Sequence, residues 1–427
     1  MMLPIRNIVK SLSNVRISVF RRCQSTIEAD QFQPLSGVKI LDLSRVVAGP
    51  FCSMVLADLG ADVIKVERTG AGDDSRTWIP PTAGSESLYF LAVNRNKKSI
   101  AVDFSKKEGA ELVRQLAKQS DVLIENFLPG KLRKFNLDYE SLKAINNELI
   151  YCSITGYGQT GPYKDRGGYD VIAAAVGGLL SITGQPEGEP CKVGVPLTDI
   201  ATGLFAHGAI ISALLERKES GRGRQIDCSL LSVQVACLIH IAANYLNNSL
   251  MGKRYGTAHP SIVPYQAFQT KDGHFVMGGG NNKSFKEICQ RLRLDYLSDD
   301  DRFVTNEKRV ANREELVKII TDRMKEKTND EWVKALDGAT FPYGPVNNME
   351  KVFNDQQVLH NELIEEMNHP KAGSIKLPAH PVRYDNKAHK FRTAPPCLGE
   401  HTNEVLTNEL NMSDNDIRDL KNRGIIQ

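Results

Sequence analysis

Between Gly156 and Gln225 the chain gathers the residues best suited to covalent chemistry: GYGQTGPYKDRGGYD, then VGVPLTDIATG, then ESGRGRQIDCSLL. Asp199 stands at the centre, where a proline-containing apolar loop gives way to an apolar helical run. Aspartate is a preferred helix N-cap, and spacing alone reads Asp199 as one. The same placement suits a nucleophile. The positive end of the helix dipole keeps a carboxylate ionised, and an ionised carboxylate can attack an activated acyl group to form an anhydride. Gly278-Gly279-Gly280, followed by Asn281, ends a strand. Glycines there let backbone approach a ligand and aim amides at an oxyanion, although the same residues also make a plain strand-to-helix connection. His207 and His401 stand alone and read as structural.

Gly156-Tyr157-Gly158-Gln159-Thr160-Gly161 is a literal GxGxxG. A dinucleotide site needs a helix opening at the third glycine so that its amides meet a pyrophosphate. Here Pro162 and a polar run follow, and the first strand–helix turn, Ser44 to Phe51, lacks glycine spacing. Glu67 ends the second strand where a ribose-binding acid would sit, but nicotinamide binding is the weaker reading. Basic residues cluster at strand ends instead: Arg45, Arg68, Lys97, Lys98, Lys131 and Lys134. Any one suits a solvated surface. As a group at the carboxyl ends of parallel strands, they suit a phosphorylated ligand.

These residues need a frame. Strands are expected at Val38 to Leu43, Asp62 to Glu67, Ser99 to Phe104, Asp121 to Asn126 and Leu149 to Thr155, with a helix from Gly49 to Leu59. Ser105-Lys106-Lys107-Glu108 has a capping-box pattern that would open another helix. The alternation predicts an α/β, Rossmann-like large domain with a parallel sheet covered on both faces. Beyond about Leu250 the pattern changes. Tyr265 to Thr270 and His274 to Gly278 read as a hairpin, followed by helices starting near Ser284, Asn312 and Thr328, a smaller α+β domain. The implied division is 1–34 leader and linker, 35–225 large domain, 226–255 linker helices, 256–345 small domain, 346–395 return linker, and 396–427 a C-terminal part of the large domain. Phe341 to Lys390 reads as a long connection, and Glu400 to Leu420 as helical.

Residues 1–27 carry Arg6, Lys10, Arg16, Arg21 and Arg22 and no acid, with Ile5, Val9, Leu12, Val15 and Val19 at helical spacing. This composition reads as a mitochondrial presequence. It accounts for the net charge of +3, since without those five positives the rest stands near −2. No global positive field argues for nucleic acid. No uninterrupted apolar run suggests a membrane helix, the richest being Ile200 to Leu215. The eight cysteines are scattered, without CxxC or Cys/His spacing, which disfavours zinc and redox motifs.

Taken together, LSRVVAGPF (43–51), GADVIKVERTGAGDDSR (60–76), NRNKKSIAVDF (94–104), DVLIENFLPG (121–130), the Gly156–Gln225 region and LGEHTNEVL (398–406) resemble the family III CoA-transferases, the group containing formyl-CoA transferase and carnitine CoA-transferase. The resemblance implies that Asp199 attacks a donor thioester and passes through aspartyl anhydride and aspartyl-CoA intermediates. CoA would be a co-substrate, and no metal or redox cofactor would be needed. CoA contacts would fall on Arg45, Val46, Arg68, Val102, Asn126, Phe127, Lys131 and Lys134, and the glycine loop on Gly278 and Gly279. A position that is lysine in formyl-CoA transferase aligns near Ser105, with Lys106 beside it. The α-methylacyl-CoA racemases of the same family use a histidine in a Gly-His-Asp tripeptide. Here it is Gly168-Tyr169-Asp170, and tyrosine, with a pKa near 10, is a poor proton carrier at neutral pH. The resemblance further implies an interlocked homodimer. With the leader, it implies a mitochondrial-matrix enzyme moving CoA from succinyl-CoA to a dicarboxylate such as glutarate, the alternative being a different acceptor acid. Arg76 and Arg95 are candidates, by charge, for reading the acceptor's second carboxylate.

Overall fold

The structure is a computed structural model and describes residues 32–427. The expected presequence lies outside the described residues. Six strands make the main sheet: β1 (Lys39–Asp42), β2 (Asp62–Glu67), β3 (Lys97–Ala101), β4 (Val122–Glu125), β5 (Ile150–Thr155) and β6 (Gln225–Ser229). All pair in parallel, in the order β3-β2-β1-β4-β5-β6. The central runs KILD, VLIE and IYCSIT are buried almost throughout, as β-branched strands covered on both faces must be. One face packs on helices α1 (Ala48–Asp58), α3 (Asp170–Val176) and α4 (Leu197–Ser220), and α2 (Lys107–Lys118) precedes α3 in the chain. The other face packs on α2 and on the C-terminal helices Thr402–Leu410 and Asp414–Asn422. The chain end then returns beside β3, where the Gln427 amide donates to the Ala101 carbonyl. Strand order reverses between β1 and β4, and a ligand crevice belongs at the carboxyl ends there.

A second core, built on Phe268, Phe275, Phe285, Ile288, Leu316 and Trp332, supports the smaller region. Strands Tyr265–Gln269 and His274–Gly278 form the expected antiparallel hairpin. Thr328 and Glu331 form a reciprocal capping box. Other local expectations yield to competing partners. Ser105 caps nothing: its amide and hydroxyl donate to the Asp103 carboxylate, and α2 begins at Lys107. Asn312 occupies an N-cap position but donates its side chain to the Arg302 and Lys308 carbonyls.

Two strand features depart from the sequence reading. β6 crosses the boundary placed at residue 225; its polar QIDCS run is half exposed at the sheet edge and lacks a buried-strand pattern. Residues 346–395 are more than a connection. Ile364–His369 and Gly373–Pro378 pair as a hairpin, and Ile375 and Leu377 pack against Phe90 and Leu91. Helix α4 is long and apolar enough to cross a membrane by length and composition, which the interrupted apolar run did not suggest. Ala206, Ile210, Ala213 and Leu214 on it are instead packed into the core beside the sheet.

Candidate active site

A cavity of about 370 Å³ opens at the reversal in strand order. Arg45, Val46, Val47 and Ala48 line it from the turn after β1, Asn126, Phe127, Leu128 and Lys131 from the turn after β4, and Thr155 and Gly156 from the end of β5. Asp74, Ile154, Gly167, Gly168, Tyr169, Asp199 and Leu230 complete it.

The GxGxxG serves this cavity by backbone packing. A Cβ on Gly156 would stand 2.7 Å from Gly168 Cα, so the two backbones touch, which places Tyr169 at the cavity and Asp170 just behind it. No helix opens at Gly161; the next begins at Asp170.

Asp199 is the third residue of α4, not its N-cap. Capping comes from across space: Asp170 Oδ1 accepts the amides of Thr198 (2.8 Å) and Asp199 (3.2 Å). That leaves the Asp199 carboxylate, buried to 8% exposure, without a hydrogen bond among the described residues. Burial first, and the Asp170 charge second, push it up to about 7. The expectation that the helix dipole holds it firmly ionised is therefore corrected: Asp170 already occupies the amides that would have stabilised it.

One turn along α4, Gly203 meets the start of α1. A Cβ there would stand 2.9 Å from the Ala48 carbonyl oxygen, so the two helices approach to backbone contact. Helix α1 has no side-chain cap and no acid in its first turn. Among the described residues, no acceptor is found for the amides of Val47, Ala48 and Gly49. Donors at an uncapped helix start, in the cavity that holds a buried carboxylate, can stabilise an oxyanion.

The expected CoA contacts divide. Asn126 holds the Arg45 backbone reciprocally, accepting its amide at 3.0 Å and donating to its carbonyl at 2.7 Å. Arg45 lies 5.2 Å from the Phe127 ring centroid, and its buried Nε has no partner. Arg45 and Arg68 both grip Asp74, at 2.8 and 2.5 Å. Arg68 borders an adjoining cleft with Phe104 and Phe127. Lys131 lines the main cavity and has no ion pair among the described residues, while Lys134 lies outside it, over the Phe135 ring. Val102 is a correction: it is fully buried beneath the sheet and offers a ligand no surface. Gly278 and Gly279 lie apart from the cavity within this chain. Their amides donate to the carbonyls of Pro342 (3.0 Å) and Pro264 (2.7 Å). Arg76 and Arg95 are committed as well, to Glu67 and Asp58.

Sequence reasoning missed the Val47 and Ala48 amides and the capping by Asp170. The available signal was a helix opening Val-Val-Ala-Gly-Pro with no Ser, Thr, Asp or Asn directly before it.

Comparison with known proteins agrees with this geometry. The profile of CoA-transferase family III matches residues 35–402. The chain is 52% identical over 399 residues to the human succinyl-CoA:glutarate CoA-transferase, covering 93% of this chain and 91% of that one. It is 42% identical to the succinate–glutarate CoA-transferase of Agrobacterium fabrum, covering 87% and 95%. A crystal structure of a CAIB/BAIF family protein from Brucella suis superposes with a TM-score of 0.81 at 42% identity, covering 89% of this chain and all of that one. A buried carboxylate beside uncapped amides, in a chain so matched throughout, makes this protein an enzyme of CoA-transferase family III.

Proposed function

We propose that the enzyme moves CoA from succinyl-CoA to a dicarboxylate such as glutarate, with Asp199 as the covalent carrier. The observation that carries this reading is the unpartnered Asp199 carboxylate sharing a cavity with the unpartnered amides of Val47 and Ala48. The Asp199 oxygen attacks the thioester carbonyl, the C–S bond breaks, and a mixed succinyl-aspartyl anhydride forms. CoA thiolate then attacks the aspartyl carbonyl; the C–O bond breaks and succinate leaves, giving aspartyl-CoA. The acceptor carboxylate displaces CoA thiolate to make a second anhydride. Thiolate attack on its acceptor carbonyl yields the new thioester and frees Asp199. Each tetrahedral intermediate carries an oxyanion for which the Val47 and Ala48 amides are suitable donors.

The orphan Nε of Arg45 and the unpaired Lys131 suit phosphate oxygens of CoA. The chemistry asks for no metal or redox group. The names of the human and Agrobacterium relatives support succinyl-CoA and glutarate as donor and acceptor. The arginine-rich leader supports a mitochondrial location. An interlocked homodimer is supported by the exposed apolar side chains Leu204 and Phe205 on α4 and Ile239, Leu246 and Met251 beyond it. Gly278 and Gly279 do not line the cavity within one chain, so any part they play in catalysis belongs to a second copy.

The racemase alternative needs two proton carriers, and the side chain beside Asp199 at the tripeptide is Tyr169. The test is transfer from succinyl-CoA to glutarate, other dicarboxylates, formate, oxalate and carnitine, read by mass spectrometry of the acyl-CoA products. Transfer confined to dicarboxylates, and abolished in folded Asp199→Ala, is expected. Turnover retained in that variant overturns the mechanism.

A further inference from the structure

Val46 has φ +73°, a left-handed conformation that β-branched residues avoid. What holds it there lies under the cavity floor. The Val46 amide donates to both oxygens of Asp73, at 3.1 and 3.2 Å. Asp73 pairs with Lys65 at 2.9 Å, and both side chains have zero exposure. Lys65 Nζ also donates to the Ser44 carbonyl at 2.7 Å, so the pair grips the turn at two points. Asp73 is fixed in turn by the Ser75 amide and hydroxyl on Oδ1 and by its own amide donating to Glu67. Burial opposes its charge, yet Lys65 and these amides keep its carboxyl below the usual carboxylate range.

We propose that Lys65 and Asp73 are positioning residues: their buried ion pair locks Val46 in the left-handed conformation that turns the Val47 and Ala48 amides into the cavity of Asp199. This rests on the reading of those amides as oxyanion donors. Neither residue lines the main cavity, and although both border the adjoining cleft their side chains have zero exposure, so they act through the backbone. Strain of this kind persists only where surrounding structure over-determines it, as these contacts do.

The experiment uses the full chain, with wild-type transfer from succinyl-CoA to glutarate as the reference. Absence of wild-type transfer would refute the proposed activity; the outcomes below bear on the positioning. Asp73→Asn is expected to lower kcat by roughly 100-fold, as loss of oxyanion donors does, with the KM for succinyl-CoA changed little. Adding Val46→Gly is expected to recover at least about tenfold in kcat, because glycine takes positive φ without steric cost. A double variant no more active than Asp73→Asn, or an Asp73→Asn enzyme as active as wild type, overturns the proposal. Removing one partner of a buried pair can unfold a protein, whereas apolar replacement of both is often tolerated. Lys65→Met with Asp73→Leu therefore repeats the test, again with and without Val46→Gly. Thermal melts of Val46→Gly and Val46→Ala in the otherwise intact chain read the strain alone. The locked conformation requires the glycine variant to melt higher; an alanine variant that melts as high or higher overturns it.

Discussion

Replacing Asp199 with asparagine should abolish transfer and make the protein more stable, by an amount that grows with pH. The carboxyl's ordinary value of 3.8 rises to about 7 in the folded chain through burial and Asp170. The folded state thus binds this proton more tightly than the unfolded state. The shift costs nothing below both values, and stability is lost as pH rises from about 4 to about 7. At about 1.4 kcal/mol per tenfold, the ionised carboxylate costs the fold about 4 kcal/mol at pH 8 and about 2 kcal/mol at pH 5.5. Asparagine has no charge at either pH, so its own packing cost cancels in the comparison. The stability gap between Asp199→Asn and wild type should widen by about 2 kcal/mol between pH 5.5 and pH 8. For a chain of this length, with an unfolding entropy of about 2.1 cal/mol/K per residue, that is a Tm gap growing by roughly 2–3 °C. Thermal melts of both proteins at the two pH values measure it. A gap that stays constant or narrows as pH rises would refute the claim that Asp199 is held as a desolvated, unpartnered carboxyl.

Three further outcomes follow from the same geometry. The acid limb of kcat/KM should fall near pH 7, and Asp170→Asn should move it to lower pH. The amide oxygen still caps Thr198 and Asp199 while the charge is gone, so an unmoved limb in a pH–rate profile would remove Asp170 from the electrostatics. Lys131→Met should raise the KM for succinyl-CoA by roughly tenfold at low salt, with kcat nearly unchanged and the difference shrinking as salt is added. A kcat loss of similar size would place Lys131 in the chemistry instead. Gly203→Ala should push α1 from α4 at the Ala48 carbonyl, costing roughly 1–3 kcal/mol of stability and at least about tenfold in kcat. Full activity in a destabilised variant would show that this helix contact does not position the amides.

The sheet was legible because β2, β4 and β5 carry short Val- and Ile-containing runs between helical patterns, as buried parallel strands do, whereas β3, KKSIA, begins two residues before the expected Ser99. β6 was not, because an edge strand of Gln, Asp and Ser carries little periodicity. At the site, Asp199 was visible as a residue and misread as a cap. The true capping carboxylate, Asp170, is 29 residues away in sequence, a contact no local spacing encodes. Backbone donors leave still less trace. The Gly278 and Gly279 amides were promising by composition, but tertiary contacts with Pro342 and Pro264 consume them. The Val47 and Ala48 amides remain unpartnered because of what does not precede them. Val102, read as a ligand contact by resemblance, shows the same limit from the other side: its identity fits, and its burial does not.

Three local rules are broken around one cavity: a left-handed valine, a helix without a cap, and a buried carboxylate without a partner. Beneath it lies a buried network whose carboxylates are all paired. Asp42 receives Ser44, Ser53 and Lys97, Lys65 meets Asp73, and Glu67 takes a two-pronged grip from Arg76 and a bond from Ser99. Strained and unsatisfied groups that cluster above a fully paired, buried network are what a preorganised site requires, since the defects persist only if their surroundings cannot relax. In the proposed mechanism, acylation of Asp199 would remove its charge and supply a carbonyl oxygen for the uncapped amides, so two of the three defects would disappear in the intermediate. Saturating succinyl-CoA without acceptor should therefore raise the Tm of wild type more than that of Asp199→Asn, which binds the same ligand but cannot be acylated. Equal shifts in the two proteins would mean that the covalent intermediate relieves nothing, and that these defects answer to ligand binding alone.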